Sequence, residues 1–491
     1  MKNKVQLITY VDRFGGSNLT QLQDLLNGPL KDVFGGVHLL PFFHKIDGAD
    51  AGFDPIDHTR VDERLGDWSH IKALAQDVEL MADVIVNHMS SESPQFQDYS
   101  AKGSASEYDG LFLSMSSVFP NGATEKDLLK VYRPRPGMPF AVTTLANGER
   151  RLLWSTFTPQ QIDIDVHHPA GKAYLDSILK SLSDSDVRMV RLDAVGYAIK
   201  RAGTSCFMMP ETFEFIGQFA ARARELGLEV LVEIHSYYKR QIEIAKQVDW
   251  VYDFALPPLV LHALAFGRNG PLLNWLAHRP NNAVTVLDTH DGIGIIDIGA
   301  DASDRQGSPG LVPPDELHEL VERIHLNSQG QSRKATGAAA SNLDLYQVNC
   351  TFFDALGRDE SAYLIARAIQ FFVPGIPQVY YVGLLAGEND MALLEQTKVG
   401  RDINRHYYSR EEVVQDLAKP VVHRLIRLIK LRNTHAAFGG AFAVLDPDGT
   451  SDLQLQWKAG EACITLKVDL SRKTGFIRYT EGSDQQVFQL A

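Results

Sequence analysis

Eight short apolar runs, separated by stretches long enough for helices, constrain the fold of this chain more than any other feature. Most of the runs are nearly continuous and rich in β-branched side chains, which is typical of parallel strands covered on both faces. They span residues 5–10, 36–42, 81–86, 187–193, 229–233, 250–254, 283–288 and 378–382. Intervening segments such as 213–226 and 361–372 have a helical pattern. Eight such units predict an α/β fold, a (β/α)8 TIM barrel.

Two intervals are too long for a helix alone, and the pattern changes near the end of the chain. Residues 87–167 follow the third run and residues 293–355 follow the seventh, so we expect two inserted loop domains there. Short alternating runs from 438 to 491 predict a small C-terminal β domain. The remaining residues would form the barrel: 1–86, 168–292 and 356–437. Insertions after barrel strands fall at the face where such barrels carry their active sites.

Composition excludes several classes of partner and site. The 491 residues carry a formal net charge of -13, which argues against nucleic acid or an anionic membrane as partner. Cys206, Cys350 and Cys463 have no short spacing, so they predict neither a disulfide framework nor a zinc site. We find no long apolar segment near the start of the sequence, and we expect a cytoplasmic location.

Three carboxylates fall where the predicted barrel would bring them together. Asp193 ends the fourth run, Glu233 ends the fifth and Asp291 follows the seventh, so all three would project into one basin. Arg191 lies on the same face of its strand as Asp193 and is expected to lower the pKa of that carboxyl and keep it ionised. The apolar neighbours of Glu233 favour its protonated form. One ionised and one protonated carboxyl are what cleavage of a glycosidic bond needs.

Four short blocks that carry these residues resemble the α-amylase superfamily of glycosidases and transglycosylases. The blocks span residues 83–88, 190–194, 231–235 and 287–291. The resemblance implies that Asp193 is the nucleophile, Glu233 the general acid/base and Asp291 the stabiliser of the transition state.

Within that superfamily the chain further resembles the sucrose phosphorylases, from its start to about residue 420. The segments that carry this narrower resemblance are 48–58, 61–68, 132–137, 157–161, 340–347 and 400–405. It implies a pocket for one glucosyl unit, with Asp50 and Arg401 paired at its closed end and with His88 and His290 bound to hydroxyl groups. Phe53 and Phe157 would form apolar walls of this pocket, and Gln161 and Arg191 are also expected to contact substrate. Tyr197 would be either a wall or an acceptor contact, and His235 is the histidine near Glu233 with the best claim to the acceptor site.

The acceptor side of such a site must take neutral fructose and then anionic phosphate. A carboxylate suits the hydroxyls of fructose, whereas an arginine and a phenol suit phosphate. The resemblance implies that Asp344 and Gln347 bind fructose. It implies that phosphate is bound by Arg135, Leu345 and Tyr346. Because Asp344 and Tyr346 lie two residues apart, a rearrangement of their loop would exchange one for the other.

The reaction implied is the reversible phosphorolysis of sucrose to α-D-glucose 1-phosphate and fructose. It would retain configuration by double displacement through a β-glucosyl-enzyme, allow transglucosylation, and need no cofactor and no metal. A homodimer is also implied. The alternatives are a phosphorylase of glucosylglycerol or sucrose 6′-phosphate, a hydrolase of small α-glucosides, and an inactive binding subunit. The intact Asp193, Glu233 and Asp291 argue against the last of these.

Overall fold

The eight predicted runs form a closed parallel barrel. The computed structural model describes residues 1–48, 50–134, 137–301, 307–338, 347–445, 450–482 and 484–490. Around the barrel the strands follow chain order, and the last strand pairs with the first. The strands are Gln6–Thr9, Gly36–Leu39, Glu79–Ile85, Met189–Asp193, Glu229–Val232, Trp250–Asp253, Ala283–Thr285 and Ile376–Tyr380. Each overlaps one predicted run, so the predicted fold is confirmed.

Helices cover the outside of the barrel, and several of them bury one apolar face. In helix Pro210–Glu225 the buried side chains recur at helical spacing, as in Phe215, Ile216 and Phe219. The helix that follows the second strand begins after Asp67, whose carboxylate accepts hydrogen bonds from the backbone N–H groups of Ser69 and His70. The covering helices are Leu19–Asn27, Trp68–Asp77, Pro169–Asp184, Pro210–Glu225, Tyr238–Ile244, Leu256–Phe266, Gly270–His278, Glu360–Phe372 and Pro420–Thr434.

Two long insertions follow the third and seventh strands. In the first, strand His88–Ser90 pairs with Gln161–Asp163, and Phe140–Thr144 pairs with Arg150–Trp154. Its helices are Pro94–Lys102, Met115–Val118 and Glu125–Lys130. In the second, Ile293–Gly294 pairs with Gln347–Val348. The helices of the second insertion are Pro314–Asn327, Gln331–Ala338 and Phe352–Ala355.

A five-stranded antiparallel sheet forms the C-terminal part of the chain. Its strands are Ala441–Leu445, Asp452–Ala459, Ala462–Asp469, Thr474–Glu481 and Asp484–Gln489. Nε1 of Trp457 donates to the carbonyl oxygen of Phe372 at 2.7 Å, which ties this sheet to a barrel helix. The predicted domain boundaries stay a prediction. Within the described ranges, no helix is both long enough and apolar enough to cross a lipid bilayer.

The inside of the barrel is polar near the end where the insertions begin. Asp83 and Arg191 are partners in strand register, and both side chains are buried. His38 lies 3.1 Å from Asp83, and the hydroxyl of Tyr252 donates to Gln378 at 3.0 Å. Buried charges need partners, so these polar groups inside the barrel hold Arg191 in place before any substrate binds.

Candidate active site

A cavity of about 770 Å³ opens at the C-terminal ends of the barrel strands, between the two insertions. Among the described residues, every predicted site residue lines it except Arg191, which is buried behind it. The predicted residues that line the cavity are Asp50, Phe53, His88, Phe157, Gln161, Asp193, Tyr197, Glu233, His235, His290, Asp291, Gln347 and Arg401. Arg135, Asp344, Leu345 and Tyr346 lie outside the described residues.

Arg191 joins the two carboxyls expected to do the chemistry. Its Nη1 lies 3.2 Å from Oδ1 of Asp193, and its Nη2 lies 3.2 Å from Oε1 of Glu233. Nη1 also donates a hydrogen bond to Asp83. One guanidinium therefore serves three carboxylates, and it holds Asp193 and Glu233 on the same side of the cavity.

Arg191 lowers the pKa of Asp193 as expected, but the net shift of that pKa is upward. Burial raises the pKa of Asp193 well above its usual range, the Arg191 guanidinium lowers it, and the neighbouring Glu233, Asp83 and Asp291 raise it again. Because Arg191 is shared with Asp83 and Glu233, it does not offset the burial of Asp193. Asp193 is therefore harder to ionise than an exposed carboxyl, and its ionisation depends on the charges of Glu233, Asp83 and Asp291.

Asp291 has the opposite electrostatic environment. Its Oδ1 lies 2.9 Å from Nη1 of Arg401 and 3.8 Å from Nη2 of Arg405. Burial opposes ionisation of this carboxyl, but the guanidinium groups of Arg401 and Arg405 hold the pKa of Asp291 far below its usual range. Asp291 is therefore a fixed negative charge facing the cavity.

One end of the cavity is closed by stacked rings and a network of charges. The rings of Phe53 and His290 stack with centroids 4.8 Å apart and planes 11° apart. Burial lowers the pKa of His290 to about 3, so this imidazole is neutral at ordinary pH. Asp50 lies 4.0 Å from Arg401 and 3.9 Å from Arg405, so the carboxylate expected to pair with one arginine faces two.

His88 and its neighbours form the wall beside this closed end. Nε2 of His88 lies 2.9 Å from the carbonyl oxygen of Phe53 and 3.2 Å from Nε2 of Gln161. The ring of Phe157 contacts His88 edge-on, with centroids 5.6 Å apart. Burial lowers the pKa of His88 below its usual value. These neutral groups can exchange hydrogen bonds with sugar hydroxyls, and Phe157 offers an apolar surface.

Aromatic side chains also line the cavity at Tyr197 and Phe207. Both pack near Tyr132, with ring centroids 4.5 Å apart between Tyr132 and Phe207 and 4.7 Å apart between Tyr197 and Phe207. His235 and Gln347 line the cavity as well. Aromatic faces and a few polar groups are typical of sites that bind sugars or other small ligands.

Sequence reasoning missed several residues that shape the site. Arg405 is fully buried, and its Nε donates to the carbonyl oxygen of His290 at 2.9 Å. It lies inside the segment 400–405 that carried the family resemblance, which was the available signal. Phe207, which lines the cavity, and Asp297, which lies behind it 2.7 Å from Nδ1 of His235, had no such signal. The other lining residues not predicted are Pro134, Ala194, Gly196 and Ile234.

Two features bear on metal binding. Ligand atoms of Glu233, His235 and Asp291 lie within 4.8 Å of one another, a grouping that suits a metal ion. Guanidinium groups already lie 3.2 Å from Glu233 and 2.9 Å from Asp291, and their positive charge competes with any cation. A second group of oxygens lies elsewhere and already contacts a cation. There the buried ammonium of Lys200 lies 2.6 Å from the amide oxygen of Asn87 and 2.5 Å from Asp163. The expected absence of a metal stays a prediction.

Comparison with known proteins assigns the family. The α-amylase catalytic domain family matches residues 30–250. A sucrose phosphorylase of Agrobacterium vitis is 59% identical over 472 residues, which cover 96% of this chain and 96% of that protein. One of Bifidobacterium adolescentis is 56% identical and covers 97% of this chain and 94% of its own length. The chain belongs to the sucrose phosphorylase family.

The family assignment extends to the three-dimensional structure. A solved sucrose 6F-phosphate phosphorylase from Thermoanaerobacter thermosaccharolyticum has a TM-score of 0.90 and 38% sequence identity. The comparison covers 100% of this chain and 98% of that one. Both predicted resemblances, to the α-amylase superfamily and to the sucrose phosphorylases, are thereby confirmed.

Proposed function

We propose that the protein is a sucrose phosphorylase, which transfers the glucosyl unit of sucrose to inorganic phosphate. The products are α-D-glucose 1-phosphate and D-fructose, and the reaction is reversible. One observation carries the proposal: Asp193, Glu233 and Asp291 meet in one cavity of a chain that belongs to the sucrose phosphorylase family.

In the first step of the proposed reaction, the carboxylate of Asp193 attacks the anomeric carbon of the glucosyl unit. The bond from that carbon to the fructosyl oxygen breaks, and Glu233 donates its proton to the departing oxygen. Asp291, kept ionised by Arg401 at 2.9 Å, stabilises the positive charge that develops on the ring. Arg191 lies 3.2 Å from both Asp193 and Glu233, so one guanidinium positions the nucleophile and the proton donor together.

In the second step, a phosphate oxygen attacks the anomeric carbon of the β-glucosyl-enzyme and the bond to Asp193 breaks. The proton of hydrogen phosphate passes to Glu233, which restores the starting state and leaves glucose 1-phosphate as its dianion. Two inversions give retention of configuration. Another hydroxyl compound in place of phosphate would give transglucosylation.

The closed end of the cavity supports a substrate with a single terminal glucosyl unit. Asp50, Arg401 and His290 occupy the space that a longer sugar chain would need. The stacked Phe53 and His290 rings leave an apolar surface beside the proposed ring position. We expect α-glucans such as starch to be excluded, while the fructosyl unit extends toward Tyr197 and His235.

A panel of glucosyl donors tests this proposal against its alternatives. Purified protein is given phosphate with sucrose, glucosylglycerol or sucrose 6′-phosphate, and glucose 1-phosphate is measured. The proposal predicts the highest kcat/KM with sucrose. A higher kcat/KM with another donor would leave the proposed mechanism unchanged and would identify a phosphorylase of that donor. Release of free glucose at the same rate with and without phosphate would identify a hydrolase.

The proposal also includes a homodimer, which the family resemblance implies. Light scattering after size-exclusion chromatography would give about twice the chain mass of 54.6 kDa for a dimer. A mass equal to one chain at micromolar concentration would contradict it. The cytoplasmic location stays a prediction from the sequence.

A further inference from the structure

His235 is held beside the proposed acid/base by an aspartate from another segment of the chain. Oδ2 of Asp297 lies 2.7 Å from Nδ1 of His235, and Nε2 of the same ring lies 3.9 Å from Oε1 of Glu233. The ring stacks on Phe254 with centroids 3.8 Å apart and planes 14° apart. The imidazole therefore connects a buried carboxylate to the edge of the cavity.

Asp297 is itself fixed on all sides. It is fully buried, and its Oδ1 accepts hydrogen bonds from the backbone N–H of Ser236 at 3.1 Å and from Nε2 of Gln241 at 3.0 Å. Because its other oxygen accepts from Nδ1 of His235, the proton on that nitrogen is fixed and Nε2 is the nitrogen that meets the cavity. A carboxylate in this place sets both the orientation and the protonation of the ring.

Gly294 packs directly against this pair. A Cβ at position 294 would lie 2.2 Å from Oδ2 of Asp297 and 2.9 Å from Nδ1 of His235, so any side chain there would push the two apart. Gly294 is also the strand partner of Gln347, which lines the acceptor side of the cavity. The same backbone segment thus supports the His235–Asp297 pair and one edge of the acceptor side.

The charges around His235 favour its protonated form. Burial alone would lower the pKa of His235, but Asp297, with further contributions from Glu233 and Asp291, raises it above its usual value. Among the described residues, Asp297, Glu233 and Asp291 are the charged groups that raise this pKa. An imidazolium here offers an N–H donor and a positive charge next to carboxylates that would otherwise repel an anion.

We propose that Asp297 is a positioning residue for the second half-reaction, in which it holds His235 so that Nε2–H meets the incoming phosphate beside Glu233. The inference rests on the proposed function and adds a specific role: Asp297 selects an anionic acceptor over a neutral one. It does so without contacting the acceptor, through the ring of His235.

The test is Asp297→Asn, which keeps the shape of the side chain and removes its charge. We expect the KM for phosphate at neutral pH to rise roughly tenfold or more, since loss of an adjacent charge shifts a pKa by about one unit or more. Fructose release with a neutral polyol as acceptor should change much less. As the pH is raised, the rate with phosphate should begin to fall at a lower pH in the variant than in the wild type, because His235 then loses its proton more readily. Equal losses with phosphate and polyol would overturn the inference.

A double-mutant cycle separates positioning from a general structural effect. If Asp297 acts through the ring, Asp297→Asn should add little to the phosphate defect of His235→Gln, whereas fully additive defects would overturn the inference. Gly294→Ala keeps both side chains and displaces the pair, so it provides the same readout if Asp297→Asn fails to fold. Wild-type enzyme without any phosphate-dependent product would overturn the proposed function as well. Normal wild-type phosphorolysis with unchanged acceptor preference in the variants would overturn this inference alone.

Discussion

Arg401 lies 2.9 Å from Asp291, the carboxylate proposed to stabilise the transition state. Arg401 belongs to the short helix Gly400–Asn404 after the eighth barrel strand, whereas Asp291 follows the seventh. The arginine thus connects Asp291 to Asp50, from which it lies 4.0 Å away at the closed end of the cavity. Arg401 therefore joins the carboxylate at the closed end to the carboxylate proposed to stabilise the transition state, with Arg405 3.9 Å from Asp50 and 3.8 Å from Asp291.

We expect Arg401→Lys to lower kcat/KM for sucrose by roughly 10- to 100-fold, because an ammonium group cannot reach both carboxylates as a planar guanidinium does. Steady-state kinetics with varied sucrose measure this. Arg472→Lys is a matched control, since the Arg472 side chain is 82% exposed on the C-terminal sheet and should have no effect. Wild-type kinetics in Arg401→Lys would contradict the assigned role.

Lys200 provides a second prediction, on stability. Its ammonium is 1% exposed and lies on oxygens of Asn87, Asp163 and Tyr197 at 2.6, 2.5 and 2.5 Å. Lys200→Met would leave the buried Asp163 carboxylate without this cation, and we expect a loss of roughly 3–5 kcal/mol in the free energy of unfolding. Denaturant titration measures the loss. The double variant Lys200→Met with Asp163→Asn should recover part of it, and a single variant as stable as the wild type would contradict the account.

The same contacts predict the effect of a chelator. The Asn87 oxygen could otherwise be a ligand for a metal ion, but the ammonium of Lys200 already lies against it. EDTA should therefore not change the melting temperature or the activity. Loss of activity on chelation that returns with added calcium would show that a metal ion is required. Differential scanning calorimetry with and without EDTA, followed by an assay, decides the point.

The sequence predicts the barrel and the three carboxylates well for one physical reason. Apolar runs determine where buried strands end, and Asp193, Glu233 and Asp291 lie at or just after such ends. Asp297, Arg405 and Phe207 were not predicted, because the conformation of a loop places them and no periodic pattern encodes it. The pKa of Asp193 was expected to be lowered and is raised, because the sequence shows Arg191 beside this carboxyl but not the depth of its burial. The sequence does not show that Asp83 and Glu233 share that arginine.

His58 predicts how stability depends on pH. It is fully buried, its Nε2 lies 3.2 Å from the carbonyl oxygen of Asp83, and burial lowers its pKa from 6.5 to about 4. Unfolded chains bind this proton below pH 6.5, whereas the folded protein does so only near pH 4. The contribution of His58 to the free energy of unfolding is therefore fully present above pH 6.5. It is lost as the pH falls from 6.5 to about 4, by roughly 3 kcal/mol in all.

Unfolding by urea at several pH values between 7 and 4 checks this expectation. His58→Gln removes the titrating group, so its free energy of unfolding should fall less steeply with acidification than that of the wild type. His318→Gln is the matched control for removal of a histidine, because the His318 side chain is exposed. Identical slopes in the wild type and His58→Gln would contradict the assignment.

The raised pKa of Asp193 predicts the acid side of the activity profile. Only the ionised carboxylate attacks, so kcat/KM for sucrose should fall on acidification at a pH clearly above the ordinary pKa of 3.8. Glu233 contributes to that rise, so Glu233→Gln should move the acid limb of its residual activity to lower pH. An acid limb at or below pH 3.8 in the wild type would refute the assignment.

The central claim is phosphate-dependent transfer of a glucosyl unit through Asp193, and the most direct measurement is glucose 1-phosphate formed from sucrose. Wild-type protein is compared with and without inorganic phosphate, beside Asp193→Ala and the exposed control Asp184→Ala. The account predicts α-D-glucose 1-phosphate and fructose only with phosphate, in both the wild type and Asp184→Ala, and none above background in Asp193→Ala. Glucose 1-phosphate formed by Asp193→Ala at the wild-type rate, or free glucose regardless of phosphate, would contradict it.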